Sequence, residues 1–332
     1  MAPSARPAPS SGPMEATAAQ PLVVLNPHAS KLHDPATRRA LTEAIVHAVR
    51  ERTGQAPRIV TGSVEDGRAA FAAAAIERPP LVVVAGGDGT VRQAAAALSD
   101  TGIPLAIVPA GTGNVLARSL RMAGPAAAVR ALATATERTL DLGEVRTGLP
   151  GATEPTAIEL FVVACGMGLD ARIMAGTDGR LKRRFSFGAY VATGLREILR
   201  PQPSLFTLDI DGERHELTGQ AVLIANAGEL IPGLLGPRRP IDPGDGALDV
   251  LVVGGRGLFG AARGGLELLL RTGEADGTSS LRRTATRVRV DAEPAQPIQI
   301  DGDVHHTGWL EARVLPGALT VLVPAAPSGG HA

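Results

Sequence analysis

Cysteine is almost missing from this sequence: Cys165 stands alone, at the end of the apolar run Phe161-Val162-Val163-Ala164. A single thiol can form neither an internal disulfide nor a cysteine-rich zinc site, which suits a reducing compartment. A catalytic thiol needs an electropositive, accessible setting, so Cys165 reads as buried and inert. Lysine is nearly as scarce, with Lys31 and Lys182 alone, and arginine carries the other positive charges. Lys+Arg and Asp+Glu each number 33, so the formal net charge is zero. That balance argues against a strong nucleic-acid binder and leaves basic clusters to be judged one at a time. No stretch approaches the ~20 apolar residues of a membrane-spanning helix. Residues 1–20, rich in Pro, Ala and Ser, lack the apolar centre of a signal peptide and are expected to form a disordered tail. The expectation is a soluble, cytoplasmic chain that meets a membrane only from its surface.

What is present suffices for two domains in 332 residues. In the first half, strand and helix signals alternate. Leu22–Leu25 is a short apolar run, Thr37–Arg52 has helical periodicity, Arg58–Val60 reads as a strand and Val64–Ile76 as an Ala-rich helix. The runs Leu81–Ala85 and Pro104–Val108 are continuously apolar, as in parallel strands buried on both faces, and each is followed by a glycine-rich turn and a helix. This pattern predicts a parallel sheet covered by helices over residues 21–140. From about Leu140, β-type segments dominate: Ile158–Ala164, Leu205–Ile210, Ala221–Ala225, Leu248–Val253, Thr286–Val290, Ile298–Ile300 and Trp309–Val314. Two helices, Phe185–Leu199 and Leu258–Arg271, interrupt them. Residues 141–315 are therefore expected to be a mainly antiparallel β-sandwich. No repeat or heptad pattern is present, and nothing in the residues sets an oligomeric state.

The two glycine turns are the chemical signal. Gly86-Gly87-Asp88-Gly89-Thr90 and Gly111-Thr112-Gly113-Asn114 each follow a buried strand. Such turns let backbone N–H groups approach phosphate oxygens, helped by the dipole of the next helix. They lie at the carboxyl edge where parallel sheets bind ligands. Asp88 adds one carboxylate, and an Asp beside phosphates commonly serves a magnesium ion. Each turn alone is equally a structural device. Neither matches the P-loop or the dinucleotide spacing.

The order Asn26-Pro27, Gly86–Thr90, then Pro109-x-Gly111-Thr112-x-Asn114 resembles the catalytic domain of diacylglycerol kinases, sphingosine kinases and bacterial soluble lipid kinases. Gly166–Ala171, Pro243–Val250 and Ile300-Asp301-Gly302-Asp303 resemble later segments of that family, so the likeness runs from about residue 21 to 326. It implies an α/β Rossmann-like nucleotide-binding domain and a β-sandwich lipid-binding domain, with the chain returning to the first over about 316–326. It implies ATP in the cleft between them, and magnesium. By motif position, Asn26, Thr61, Gly86, Gly87, Gly89, Thr90, Gly111, Thr112, Asn114 and Asp303 would serve the nucleotide. Asp88 would manage magnesium and Asp301 would take the proton of a lipid hydroxyl. Asp245 would hold a structural cation. The residues themselves leave Asp301-Gly302 readable as a hairpin turn, and Pro243–Gly246 as an ordinary turn. Three positions depart from the family pattern: Val115 and Gln93 stand where it has carboxylates, and Asp303 stands for Glu.

The implied activity is ATP-dependent phosphorylation of diacylglycerol or a similar lipid. An NAD-kinase-like enzyme with a soluble substrate, and a catalytically weak nucleotide- or lipid-binding regulator, are the alternatives. Other features have plain structural readings. His305 and His306 are adjacent, so on a strand they face opposite ways. The Leu181–Arg200 stretch, with Lys182-Arg183-Arg184 just before its apolar face, reads as a helix packed on the sandwich or lying at a membrane surface. Arg282, Arg283, Arg287 and Arg289 read as a solvated strand face, or as contacts to anionic headgroups.

Overall fold

The computed structural model describes residues 19–168, 203–228, 241–254, 275–276 and 280–325. Most of the expected tail, the segment Leu169-Asp170-Ala171, the two helices expected at 185–199 and 258–271, and the basic cluster Lys182–Arg184 lie outside these residues.

Parallel pairing builds the first half. Strands β1 (Leu22–Leu25), β2 (Arg58–Thr61), β3 (Val82–Gly86) and β4 (Leu105–Pro109) lie in the order β2-β1-β3-β4. Helices α1 (Pro35–Thr53), α2 (Val64–Glu77), α3 (Asp88–Leu98), α4 (Val115–Ser119) and α5 (Pro125–Ala131) connect them or follow. The apolar runs are continuous because both faces are covered. Leu22 and Val24 join Val82, Val84, Leu105 and Ile107 in one core with residues of α2, α3 and α4. Their neighbours Val23 and Leu25 join Val83, Ala85, Ala106 and Val108 in a second core with α1. Helix ends follow from local chemistry: Asp34 accepts the Thr37 N–H at 2.8 Å before Pro35, and Gly54 at φ 71° ends α1. Ser63 and Asp66 form a reciprocal capping box at the start of α2.

The second half is mainly antiparallel. Strands β5 (Thr136–Gly148), β6 (Ala157–Phe161), β7 (Ala164–Gly168), β8 (Ser204–Ile210), β9 (Glu213–Ala225) and β10 (Leu248–Gly254) are followed by β11 (Ala275–Asp276), β12 (Ser280–Ala285), β13 (Arg287–Glu293), β14 (Pro297–Ile300), β15 (Asp303–Thr307) and β16 (Trp309–Val323). Phe161, Met167, Phe206, Val222, Ile224, Val250, Val288 and Ile298 are among the buried residues of its core. The halves share strands. Near its end β16 pairs in parallel with β4 through Val321 and Leu322, while earlier it pairs with β13. Along most of its length it also pairs with β5, with an irregularity between Leu315 and Leu319. The end of β16 thereby joins the sheet of the first half.

One expected strand is broken. Ile158–Ala164 divides into β6 and β7 because Val162, Val163 and Ala164 turn their N–H groups to the Asp301 carboxylate. β5 escapes sequence patterning because it carries Asp141, Glu144 and Arg146. Asp141 is nonetheless buried, accepting the Gly246 and Gly317 N–H groups at 2.7 and 2.8 Å.

Candidate active site

The two glycine turns meet at the carboxyl ends of β3 and β4. The Ala110 and Gly111 N–H groups both donate to the Gly86 carbonyl, at 2.9 and 3.1 Å. The backbones touch so closely that a Cβ on Gly111 would lie 2.5 Å from the Gly87 Cα. Only glycine fits there. Asn114 closes its own turn, its Oδ1 accepting the Gly111 N–H at 3.0 Å and its Nδ2 donating to the Gly111 carbonyl at 2.7 Å. Asn26 ties the first motif to the second by donating to Thr90 Oγ1 at 3.0 Å.

These contacts frame a cleft of about 360 Å³. Of the residues expected at the nucleotide, Asn26, Gly87, Gly89, Thr90, Gly111 and Thr112 line it. Gly86 and Asn114 do not line it but hydrogen-bond the turns that do, and Thr61 stands in sequence between lining residues Val60 and Gly62. Sequence reasoning missed His28, Ser30, His33 and Ser63, which also line it, as does Gln93, noted there only as a departure from the family pattern. The capping-box residues of α2 were legible as a helix start, which would have placed Ser63 and its helix N-terminus here.

Asp88 sits half-buried at the start of α3, and its Oδ1 accepts the Val115 N–H of the other turn at 2.6 Å. Burial raises its carboxyl above the ordinary range, against the hydrogen bonds from Val115 and Asn114 and the charge of Arg118. Its Oδ2 lies 2.5 Å from where a Gly113 Cβ would sit, so the turn leaves room for the carboxylate only because residue 113 has no side chain. One carboxylate with neighbouring hydroxyls and phosphate oxygens is an all-oxygen donor set, which fits magnesium carried on a nucleotide. Val115 stands between two glycines: its Cγ1 lies 2.7 Å from where a Cβ of Gly228 would stand, and its Cγ2 4.0 Å from that of Gly113.

Asp301 occupies a hairpin turn and a buried cage at once. Asp301 and Gly302 have φ of 46° and 89°, both positive, as a two-residue hairpin of Asp-Gly type requires. Its carboxylate accepts three backbone N–H groups, from Val162 at 2.8 Å on Oδ2 and from Val163 and Ala164 at 2.9 and 3.0 Å on Oδ1. Burial raises its pKa above the ordinary carboxylate range, although the three amides and Arg92 pull the other way. A carboxylate has about four lone-pair sites, so three bonds leave Oδ2 able to accept one more. Cys165 next to the cage is fully buried, its thiol pushed far up by desolvation and then by Asp301.

Asp303 does not line the cleft; it pairs with Arg92 at 3.1 Å. Asp245 does not line the cleft either. Its pKa is raised by burial and by Asp249, Asp242 and Asp141, while Asp242 itself pairs with Arg138. Among the described residues no three His, Cys, Asp or Glu are arranged to hold a metal ion. Arg287 pairs with Glu311 at 2.7 Å and Arg289 stacks 4.1 Å over Trp309, so both have partners within the fold.

Comparison with known proteins agrees with this architecture. Residues 20–145 match the model of the diacylglycerol kinase catalytic domain, and residues 163–323 that of the YegS C-terminal NAD kinase β-sandwich-like domain. A Mycobacterium tuberculosis diacylglycerol kinase is 31% identical over 80% of this chain and 84% of its own. The chain belongs to the diacylglycerol kinase family. A Pseudomonas aeruginosa protein named as a YegS-like lipid kinase is 30% identical over 89% of this chain and 93% of its own. An uncharacterized Synechocystis protein is 28% identical over 75% of this chain, which spans 56% of that longer relative. Among solved structures, a Bacillus anthracis diacylglycerol kinase shares the fold, with a TM-score of 0.67 at 19% identity over 92% of this chain and 97% of its own. Among the described residues no helix is long and apolar enough to cross a membrane.

Proposed function

We propose that this diacylglycerol kinase family member transfers the γ-phosphoryl group of ATP to a hydroxyl of diacylglycerol or a similar membrane lipid. The observation that carries it is the pair of glycine turns joined backbone to backbone beneath an open cleft, with Asp88 between them. Residues 21–140 with the return over 316–326 serve the nucleotide, and residues 141–315 serve the lipid. The triphosphate lies on the N–H groups of the turns and the α3 N-terminus, with Asn26, Thr90 and Thr112 as polar partners. Magnesium held by Asp88 supplies charge neutralisation when bound. The lipid oxygen forms the new bond to phosphorus as the bond to the ADP oxygen breaks, and its proton passes to Oδ2 of Asp301. Positioning and electrostatics are most of what such a transfer needs. The chain works in the cytoplasm at a membrane surface and supplies phosphorylated lipid for phospholipid synthesis. Phosphorylation of a panel of vesicle-borne lipids by labelled ATP tests this. Transfer to a soluble acceptor such as NAD, without transfer to any lipid, would overturn it.

A further inference from the structure

Helix α3 begins at the phosphate loop with Asp88, and one turn later it carries Arg92. Residues four apart share a helix face, here about 6 Å apart along the axis. Arg92 reaches the hairpin that holds Asp301. Its Nη1 donates to the Ile300 carbonyl at 3.1 Å, and its Nη2 lies 3.1 Å from the Asp303 carboxylate. Ile300 and Asp303 are the residues on either side of the Asp301-Gly302 turn, so one guanidinium grips both ends of it. The same Nη2 stands 4.0 Å from Glu159 on β6, the strand that leads into the three amides caging Asp301. Glu159 in turn meets His305 Nδ1 at 3.5 Å. Ile300 is buried, and the Arg92 side chain is only 22% exposed. That matters, because a largely sheltered planar fork that engages the buried Ile300 carbonyl on one side and the exposed Asp303 carboxylate on the other is a geometric constraint on the turn between them.

We propose that Arg92 is a positioning residue which sets the Asp301 hairpin in register with the phosphate loop, and that Asp303 acts as its anchor and not as a nucleotide ligand. One rigid helix then ties the groups at the phosphates to the group at the acceptor hydroxyl. Lysine would not substitute, since a point charge cannot span both ends of the turn. The inference deepens the kinase reading above and, for its effect on turnover, rests on it.

The test uses the full chain with two readouts. Hydrogen exchange of the Val162, Val163 and Ala164 amides reports the cage directly, with and without ATP and magnesium. Steady-state kinetics on vesicle-borne diacylglycerol reports turnover. In the wild type, nucleotide slows exchange of these amides on the order of tenfold. Arg92→Ala abolishes that slowing and lowers kcat about 10²-fold while leaving the ATP KM within about twofold, as a misplaced reacting group does. Arg92→Lys falls between. Asp303→Ala, which removes a side chain 70% exposed and so spares the core, lowers kcat with the same unchanged ATP KM. Wild-type kcat together with a retained exchange response in Arg92→Ala would overturn the inference. So would a rise in ATP KM equal to the fall in kcat. Should Arg92→Ala not fold, the Lys and Asp303 variants decide by the same criteria. A wild type that phosphorylates no lipid refutes the kinase reading instead, and the exchange response still decides the role of Arg92.

Discussion

Asp88 and Val115 lie in different glycine turns, yet the carboxylate of one accepts the backbone N–H of the other at 2.6 Å. Asp88 is thus the cap of α4 as well as the carboxylate proposed to stand beside the phosphates. Asn114, the residue that would ordinarily cap that helix, is in the left-handed region and makes no side-chain cap.

Asp88→Ala is expected to do two things. Loss of a capping carboxylate costs about 1–2 kcal/mol of stability. Turnover falls at least ~10²-fold through the disturbed phosphate site. Thermal melting and a magnesium titration of kcat separate these effects. Near-normal activity with a lowered Tm would leave Asp88 as a cap alone.

Gly111→Ala tests the cleft without touching any reacting group. Its Cβ would press within 2.5 Å of the Gly87 Cα, so the two turns must part. The ATP KM should rise about tenfold or more, in line with a misplaced phosphate cradle. An unchanged KM would mean that nucleotide binds elsewhere.

Val115→Asp restores a carboxylate the family pattern has at this position, but here it would destabilise. The side chain stands against Gly228, which Val163 also borders, and a second carboxylate would stand near Asp88. Val115 is half-buried, so a poorly partnered polar group there costs about 1 kcal/mol, the low end of the usual range. A lowered Tm with no gain in turnover is the expected result, and a gain in turnover at unchanged Tm would contradict it.

Asp301→Asn keeps the shape and the turn, because Asn-Gly also forms this hairpin. It cannot keep the cage, since an amide has one acceptor oxygen for three N–H groups on two sides. We expect turnover to fall about 10²–10⁴-fold and stability to fall by about 1–3 kcal/mol for an amide left unpaired. Assays well below the melting temperature distinguish the two. Full turnover there would remove Asp301 from proton transfer.

The same carboxyl sets a pH dependence. Burial holds the Asp301 pKa above its unfolded value. The folded chain therefore keeps this proton more tightly than the unfolded chain. Its contribution to stability is greatest below the unfolded value of about 3.9 and falls as pH rises to the folded pKa. Activity runs the opposite way, because only the ionised form accepts a proton. The acid limb of kcat should lie above the ordinary carboxylate range, and a limb at the ordinary value would exclude Asp301 as its source.

How much of this was legible depended on which residues carried the pattern. The runs at Leu22–Leu25 and Leu81–Ala85 announced a doubly covered parallel sheet because every residue in them is apolar. β5 did not announce itself, since the physics that permits Asp141 inside it lies in amides more than 100 residues away. Asp301-Gly302 read as either a turn or a base, and the positive φ values and the three amides show why neither feature excluded the other in sequence. The grip of Arg92 on Ile300 spans 208 positions and leaves no local signal.

The strand β16 has a consequence for the order in which the molecule can be made. It lies between β4 and β13, in the middle of the strand order, yet among the described strands it comes latest in the chain. The nucleotide half emerges first but keeps an open edge at β4 until Val321 and Leu322 of β16, far along the chain, have been made. Its folding is therefore withheld from the usual N-terminal-first sequence. Both halves should gain protease resistance together and late, when one strand closes the sheet.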